Sequence, residues 1–158
     1  MKKQFTHISK TGNPQMVDVS HKQATKRIAK AQAIVLLGKE ILSKMRGDEL
    51  ITKKGPVFQT AIIAGVMGAK KTHELIPFCH PLGLEDCQIS ISIKKGKVII
   101  DSTATVIGKT GVEMEALTAV TIAALTVYDM CKALSHNIVI EEVKLMQKSG
   151  GKKDFKRK

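Results

Sequence analysis

Between residues 26 and 37 the apolar side chains fall on every second position, Ala29, Ala31, Ala33, Val35 and Leu37, with Lys30 and Gln32 between them. Alanine and lysine also favour helix. The period of two, however, places all five apolar residues on one face of a β-strand and the polar ones on the other. A strand with one apolar face needs a covering layer, and the sequence supplies one. Residues 57–74 read as a helix, opened by Pro56 in its first turn, with Ala61, Ala64, Val66 and Ala69 giving a broad surface of small apolar groups. Residues 88–93 and 97–107 read as a hairpin around Lys94-Lys95-Gly96-Lys97. The longest helix is expected over 113–134, where Thr110-Gly111-Val112-Glu113 matches a capping box, and 139–146 reads as a last strand.

Shorter features fill the rest. Residues 1–15 are polar with a turn at Thr11-Gly12-Asn13-Pro14, and 16–19 read as a short strand. Gly38 and Gly47 bracket a helical turn or two at 39–46, and Lys53-Lys54-Gly55 reads as a loop. The order strand, helix, hairpin, helix, strand predicts an α+β fold of ferredoxin-like type, an antiparallel sheet with helices packed on one face. No repeat or internal linker interrupts it. One domain over 1–158 is therefore expected, with a polar N-terminal segment 1–15 and a basic tail 149–158.

At 158 residues, 43% of them hydrophobic, the chain has enough apolar surface to close one core. No apolar run reaches the ~18 residues that a membrane-spanning helix needs, and the Met1-Lys2-Lys3-Gln4 start leads into polar residues. A cytoplasmic protein without a membrane partner is expected. Cys79, Cys87 and Cys131 contain no C-x-x-C pair, which points away from a disulfide framework or a closed zinc site.

The charge is unevenly placed. Of 26 basic and 14 acidic residues, residues 1–46 hold ten and two, residues 47–147 ten and eleven, and residues 148–158 six and one. Basic ends on a balanced middle fit either solvated tails or cations brought from both ends to one anionic ligand. A basic ferredoxin-like RNA-binding module is the alternative class. It would stack bases on sheet aromatics, yet the five aromatics, Phe5, Phe58, Phe78, Tyr128 and Phe155, avoid both hairpin strands. No nucleic-acid partner is expected.

Several residues could carry chemistry. Gly108-Lys109-Thr110 resembles the end of a P-loop, but Thr103 stands where that motif needs glycine. Lys109 can still meet an anion near the start of the long helix. Glu113 is open to a capping or a binding role, and Glu115 lies one residue beyond any capping need. Asp129 and Lys132 share a helix face in an apolar stretch: either an ordinary surface pair, or a partly buried acid–lysine pair in which the lysine loses its proton near neutral pH. His80, held between Cys79 and Pro81 in the rigid Ile76-Pro77-Phe78-Cys79-His80-Pro81-Leu82 loop, is a candidate acid, base or phosphate contact. Lys148-Ser149-Gly150-Gly151-Lys152 suits a loop closing over phosphates and equally a free tail.

Together, MVDVS (16–20), IPFCHPL (76–82), GKTGVEMEALTA (108–119), VYDMCKA (127–133) and KSGGK (148–152) closely resemble the molybdenum cofactor biosynthesis protein C family of cyclic pyranopterin monophosphate synthases. The resemblance runs from about residue 6 to 155. It implies a ferredoxin-like subunit in a homohexamer of three dimers with active sites at subunit interfaces. The reaction it implies is a lyase reaction, conversion of 3′,8-cyclo-7,8-dihydro-GTP to cyclic pyranopterin monophosphate with loss of pyrophosphate.

Carried over by position, the resemblance makes Lys132 the general acid/base and Asp129 its orienting partner. It places Arg27, Lys54, His80, Glu113, Met114, Glu115 and Lys148 around the nucleotide. No metal ligands and no redox cofactor are implied; magnesium could accompany the triphosphate. Two features depart from the family pattern: Ile62 stands where an arginine is expected, and Gly151-Lys152-Lys153-Asp154-Phe155 is more compact than the family form.

Overall fold

The alternating segment forms β1 (Thr25–Leu36), and its inward row is almost completely buried: Ala29, Ala31, Ala33 and Val35 are at most 1% exposed. This is a computed structural model; it describes residues 8, 9 and 11–158. Residues 1–7 and Lys10, among them Phe5 and the first four residues of the start, lie outside the described set.

After β1 come α1 (Lys39–Leu42), a three-stranded antiparallel sheet of β2 (Met45–Arg46), β3 (Glu49–Thr52) and β4 (Gly55–Pro56), and then α2 (Val57–Lys70) and α3 (Thr72–Leu75). The hairpin is β5 (Asp86–Lys94) and β6 (Lys97–Gly108), followed by α4 (Glu113–Cys131), β7 (Val139–Ser149) and β8 (Phe155–Lys156). The main sheet has the order β5-β6-β1-β7-β8 with every pair antiparallel. With β1-α2-β5-β6-α4-β7 as its core, this is the expected ferredoxin-like α+β arrangement.

Small side chains let the layers approach closely. Ala116, Ala119, Ala123, Ala124 and Val127 of α4 are fully buried, and the buried Ser102 hydroxyl on β6 donates to the Ala116 carbonyl at 2.8 Å. At Gly65 on α2, a Cβ would lie 2.8 Å from the Ala119 carbonyl oxygen, so only glycine permits this α2–α4 contact. Glu49 ties the small sheet to α2: its Oε1 accepts the Phe58 N–H at 2.8 Å and its Oε2 the Gln59 N–H at 3.1 Å. A side chain from another element thus caps the helix, since Pro56 has no side-chain acceptor to offer.

Several local expectations are corrected. Residues 16–19 form no strand, residues 45–46 are strand rather than helix, and the C-terminal segment contributes β8 rather than running free throughout. The helix expected over 57–74 breaks at Lys71, beside the buried Thr72 hydroxyl, which donates back to the Ala69 carbonyl at 3.0 Å. The capping box is not formed: α4 starts after Val112 with no side-chain cap, because the Glu113 carboxylate turns to Lys148 instead of back to Thr110. The expectation about apolar length also needs correction, since the 19-residue α4 is long and apolar enough by composition to cross a membrane. Its burial against β1 and α2 accounts for that character as a core helix.

Candidate active site

Cross-strand partners in an antiparallel pair share a face, so Lys148, opposite the buried Ala29, points into the helix layer. It meets Glu113 there, Nζ donating to Oε1 at 2.8 Å. Arg27, two residues before Ala29, lies on the same face at the end of the row. Its Nε donates to the Gly108 carbonyl at 2.9 Å and its Nη2 to the Lys109 carbonyl at 3.2 Å. The alternation that builds the core therefore also delivers both cations to the start of α4.

Two cavities open around this point. The first, about 450 Å³, lies between the 17–22 segment, the 78–82 loop and the first turn of α4, with Phe78, His80, Lys109, Met114 and Glu115 in its wall. The second, about 400 Å³, is lined by Glu113, Lys148 and Lys153 among others. Arg27, Gly111 and Lys152 line both.

Glu115 is 4% exposed, and its Oε2 has no hydrogen-bond partner among the described residues. Burial pushes its carboxyl pKa up, and nearby Glu113 adds to the rise, against an opposing hydrogen bond from its own backbone N–H. A proton on this group can be offered to a ligand at the cavity wall. His80 is part-buried, with Nε2 2.8 Å from the Val17 carbonyl. A carbonyl can only accept, so Nε2 carries a proton and Nδ1 is the nitrogen left for other partners. Lys109 Nζ donates to the Ser20 carbonyl at 3.0 Å. His80 and Lys109 therefore moor the 17–22 segment as well as lining the first cavity.

Asp129, Lys132 and Lys54 form a separate cluster at the other end of α4. Asp129 Oδ1 accepts from Lys132 Nζ at 2.7 Å and its Oδ2 from Lys54 Nζ at 2.6 Å. Lys54 also donates to the Asp129 backbone carbonyl at 3.2 Å, satisfying part of the helix C-terminus. The expected burial is not found: all three side chains are about half exposed. Hydrogen bonds from Lys132 and then Lys54 lower the Asp129 pKa to about 2, and Asp129 in turn raises that of Lys132. In this chain Asp129 thus favours the ammonium form of Lys132 over a deprotonated base.

The fourteen steps along α4 from Glu115 to Asp129, at ~1.5 Å each, separate the two clusters by roughly 21 Å. The candidate residues therefore fall into two groups that the fold of this chain does not bring together. Arg27, His80, Glu113, Met114, Glu115 and Lys148 lie at one end of α4; Lys54, Asp129 and Lys132 lie at the other. Lys22, His21, Lys152 and Lys153 also line the cavities. Of these only Lys152 was read from sequence, as part of a loop suited to closing over phosphates; for the other three the excess of positive charge near both termini was the signal. Among the described residues, no group of three His, Cys, Asp or Glu side chains is placed to hold a metal ion.

Residues 16–151 match the family model described as "MoaC family". The chain belongs to the MoaC family. Over 96% of its length it is 49% identical to a cyclic pyranopterin monophosphate synthase of Xanthomonas campestris, covering 92% of that protein. It is 50% identical over 95% of its length to a molybdenum cofactor biosynthesis bifunctional protein of Synechocystis, and 48% over 94% to molybdenum cofactor biosynthesis protein 1 of Dictyostelium discoideum. It spans only 45% and 26% of those two longer relatives. The family match runs through β1, both cavity-lining loops, α4 and β7, so it covers both clusters.

Proposed function

We propose that the chain is a lyase of molybdenum cofactor biosynthesis, converting 3′,8-cyclo-7,8-dihydro-GTP to cyclic pyranopterin monophosphate with release of pyrophosphate. The observation that carries this reading is the pair of adjoining cavities sharing Arg27, within a chain of the MoaC family. One cavity offers Phe78, Met114 and the buried Glu115 carboxyl to a ring system; the other offers Arg27, Lys148 and Lys152 to phosphates. A nucleotide-derived substrate needs both environments side by side.

In this mechanism the cyclic phosphate closes by attack of a sugar hydroxyl on the α-phosphorus, with pyrophosphate as the leaving group. Arg27 and Lys148 neutralise the charge that develops on it. The ring rearrangement requires proton transfers, which are assigned to Lys132 with Asp129 orienting its ammonium. The roughly 21 Å between the clusters favours an assembly in which one subunit's Lys54–Asp129–Lys132 cluster completes the cavity of another. A homohexamer of three dimers supplies such interfaces. Docking would also desolvate the half-exposed Lys132 and lower its pKa from the raised value it has alone. No resident cofactor enters the scheme, and magnesium would arrive with the triphosphate. A cytoplasmic location suits a substrate of this kind.

The test is anaerobic incubation with the cyclised GTP substrate, following pyrophosphate release together with oxidation of the product to a fluorescent pterin. Lys132→Ala is expected to abolish both signals, by about 10²-fold or more for loss of a general acid/base, without altering fold or assembly size. Full turnover by that variant would remove Lys132 from the mechanism. The absence of both signals from folded wild-type oligomer would remove the activity.

A further inference from the structure

Residues 15–24, between the Ile8–Pro14 bridge and β1, belong to no strand or helix. Val17, Val19, His21 and Lys22 nevertheless supply one wall of the first cavity. Among the described residues, the single backbone–backbone bond within 17–22 joins the Lys22 N–H to the Val19 carbonyl at 3.0 Å and closes a turn. Val17 and Val19 are only half-buried, so packing adds little hold. A wall without a ladder depends on its moorings, and it has two: the His80 bond to the Val17 carbonyl at 2.8 Å and the Lys109 bond to the Ser20 carbonyl at 3.0 Å.

Both backbone groups of Ser20 are held. Its N–H donates to Asp18 Oδ1 at 2.8 Å, while its carbonyl accepts from Lys109 Nζ. Hydrogen bonding from Ser20 keeps the Asp18 carboxyl below its ordinary value, and the Lys109 charge adds a smaller share, so acid and lysine belong to one cluster around this residue. Ser20 and His21 are the middle residues of the Val19–Lys22 turn, so fixing Ser20 fixes the direction of His21 and Lys22. Lys109 has a second task through a different atom. Its backbone carbonyl accepts from Arg27 Nη2 at 3.2 Å, beside the Gly108 carbonyl that accepts from Nε at 2.9 Å. A substitution of the lysine side chain therefore removes the mooring and leaves the Arg27 acceptors in place.

We infer that Lys109 is a positioning residue of the first cavity: its ammonium clamps the Ser20 turn so that His21 and Lys22 face the ring system of the ligand, and it acts through that turn rather than by touching the ligand. The inference rests on the proposed reaction for its ligand and adds a function for the 17–22 wall. The Lys109–Ser20 bond is exposed to solvent, and the His80 and Asp18 contacts survive its loss, so the wall loosens rather than detaches. Binding must then reorder the wall, which weakens affinity, while the groups at the reacting atoms stay as they were.

The experiment is amide hydrogen exchange of the full oligomeric protein, read by mass spectrometry. Lys109→Met is expected to speed exchange of the peptide spanning residues 17–22 by about two- to tenfold, the worth of one hydrogen bond, with the rest of the chain unchanged. Lys109→Arg keeps a cationic donor and is expected to return the peptide towards the wild-type rate. With the cyclised GTP compound, Lys109→Met is expected to raise KM by about the same factor and to leave kcat unaltered. Asp18→Ala frees the other side of Ser20 and is expected to raise KM as well, the double variant rising no further than the larger single effect. Unchanged exchange in Lys109→Met overturns the inference. So do fully additive KM increments, because Lys109 would then meet the ligand directly. Circular dichroism and assembly size check folding; should Lys109→Met not fold, Lys109→Ala is judged by the same criteria. Wild-type turnover with unchanged exchange in the variant would leave the proposed reaction standing and remove the positioning role. Faster exchange in the variant, with no turnover by wild type, would keep the clamp and remove the reaction.

Discussion

Replacing Glu49 by alanine tests whether a carboxylate on β3 holds the start of α2. Two first-turn donors, the Phe58 and Gln59 N–H groups, lose their acceptors, and the negative charge at the helix N-terminus goes with them. Loss of a helix cap costs about 1 kcal/mol, and removal of a favourable charge at the first turn about 0.3–1 kcal/mol. The buried Phe58 has little water within reach to replace the acceptor, which puts the total at about 2 kcal/mol. At about 2–4 °C per kcal/mol for a domain of this size, Tm falls by roughly 4–8 °C. Glu49→Gln, which retains one acceptor oxygen, should lose about half as much. Urea unfolding and differential scanning calorimetry at one fixed protein concentration measure both. A loss under about 0.5 kcal/mol in Glu49→Ala, the range of an ordinary surface change, would refute the cap. The consequence reaches function, because the same small sheet carries Lys54 to Asp129.

Two other perturbations follow from the geometry. Lys54→Met should raise the Asp129 pKa from about 2, but not fully to its ordinary 3.8, because Lys132 remains the larger cause of the depression; a carboxyl carbon NMR titration reads it, and an unmoved pKa would show that Lys54 is not coupled. The sign for stability is that Asp129's contribution is complete above 3.8 and is lost as pH falls through about 2, whereas that of Lys132 is present below 10.5 and lost as pH rises through its raised folded value. Gly150→Ala should keep the fold but open the C-terminal loop: Gly150 has φ of 83°, and a Cβ there would come within 2.0 Å of the Lys26 carbonyl oxygen. Under the proposed function, the expected result is a raised KM for the cyclised GTP compound with the circular dichroism spectrum unchanged; an unchanged KM would mean that closure is unnecessary.

The four long strands of the main sheet and the helices α2 and α4 were legible from local signals, alternation and turn residues for the strands and runs of small apolar helix formers for the helices. The Ala29–Val35 alternation marked β1, and the glycine turn at Lys95-Gly96 marked the hairpin. The small sheet was hidden because β2 and β4 have two residues each, too few for any period to show. Its attachment depends on Glu49, an acid nine or ten residues before the N–H groups it binds, beyond the reach of a local capping pattern. The misread capping box has the same origin: Thr110 and Glu113 have the right spacing, yet Lys148, 35 residues away, outcompetes the local partner.

The Asp129–Lys132 pair shows what composition around a helix position can and cannot say. Cys131 and Met130 are buried, but Asp129 and Lys132 stand on the opposite side of the last turn. Apolar neighbours in sequence therefore describe the other face of the helix. What sequence spacing did contain was distance: Glu115 and Asp129 lie too far apart along one rigid helix to act on one small molecule. A chain that needs both must bring the far end of one α4 to the near end of another. Lys54, Asp129 and Lys132 stand half exposed and neither cavity at the start of α4 includes them, so under the proposed function the cluster of a second copy is what would complete the site.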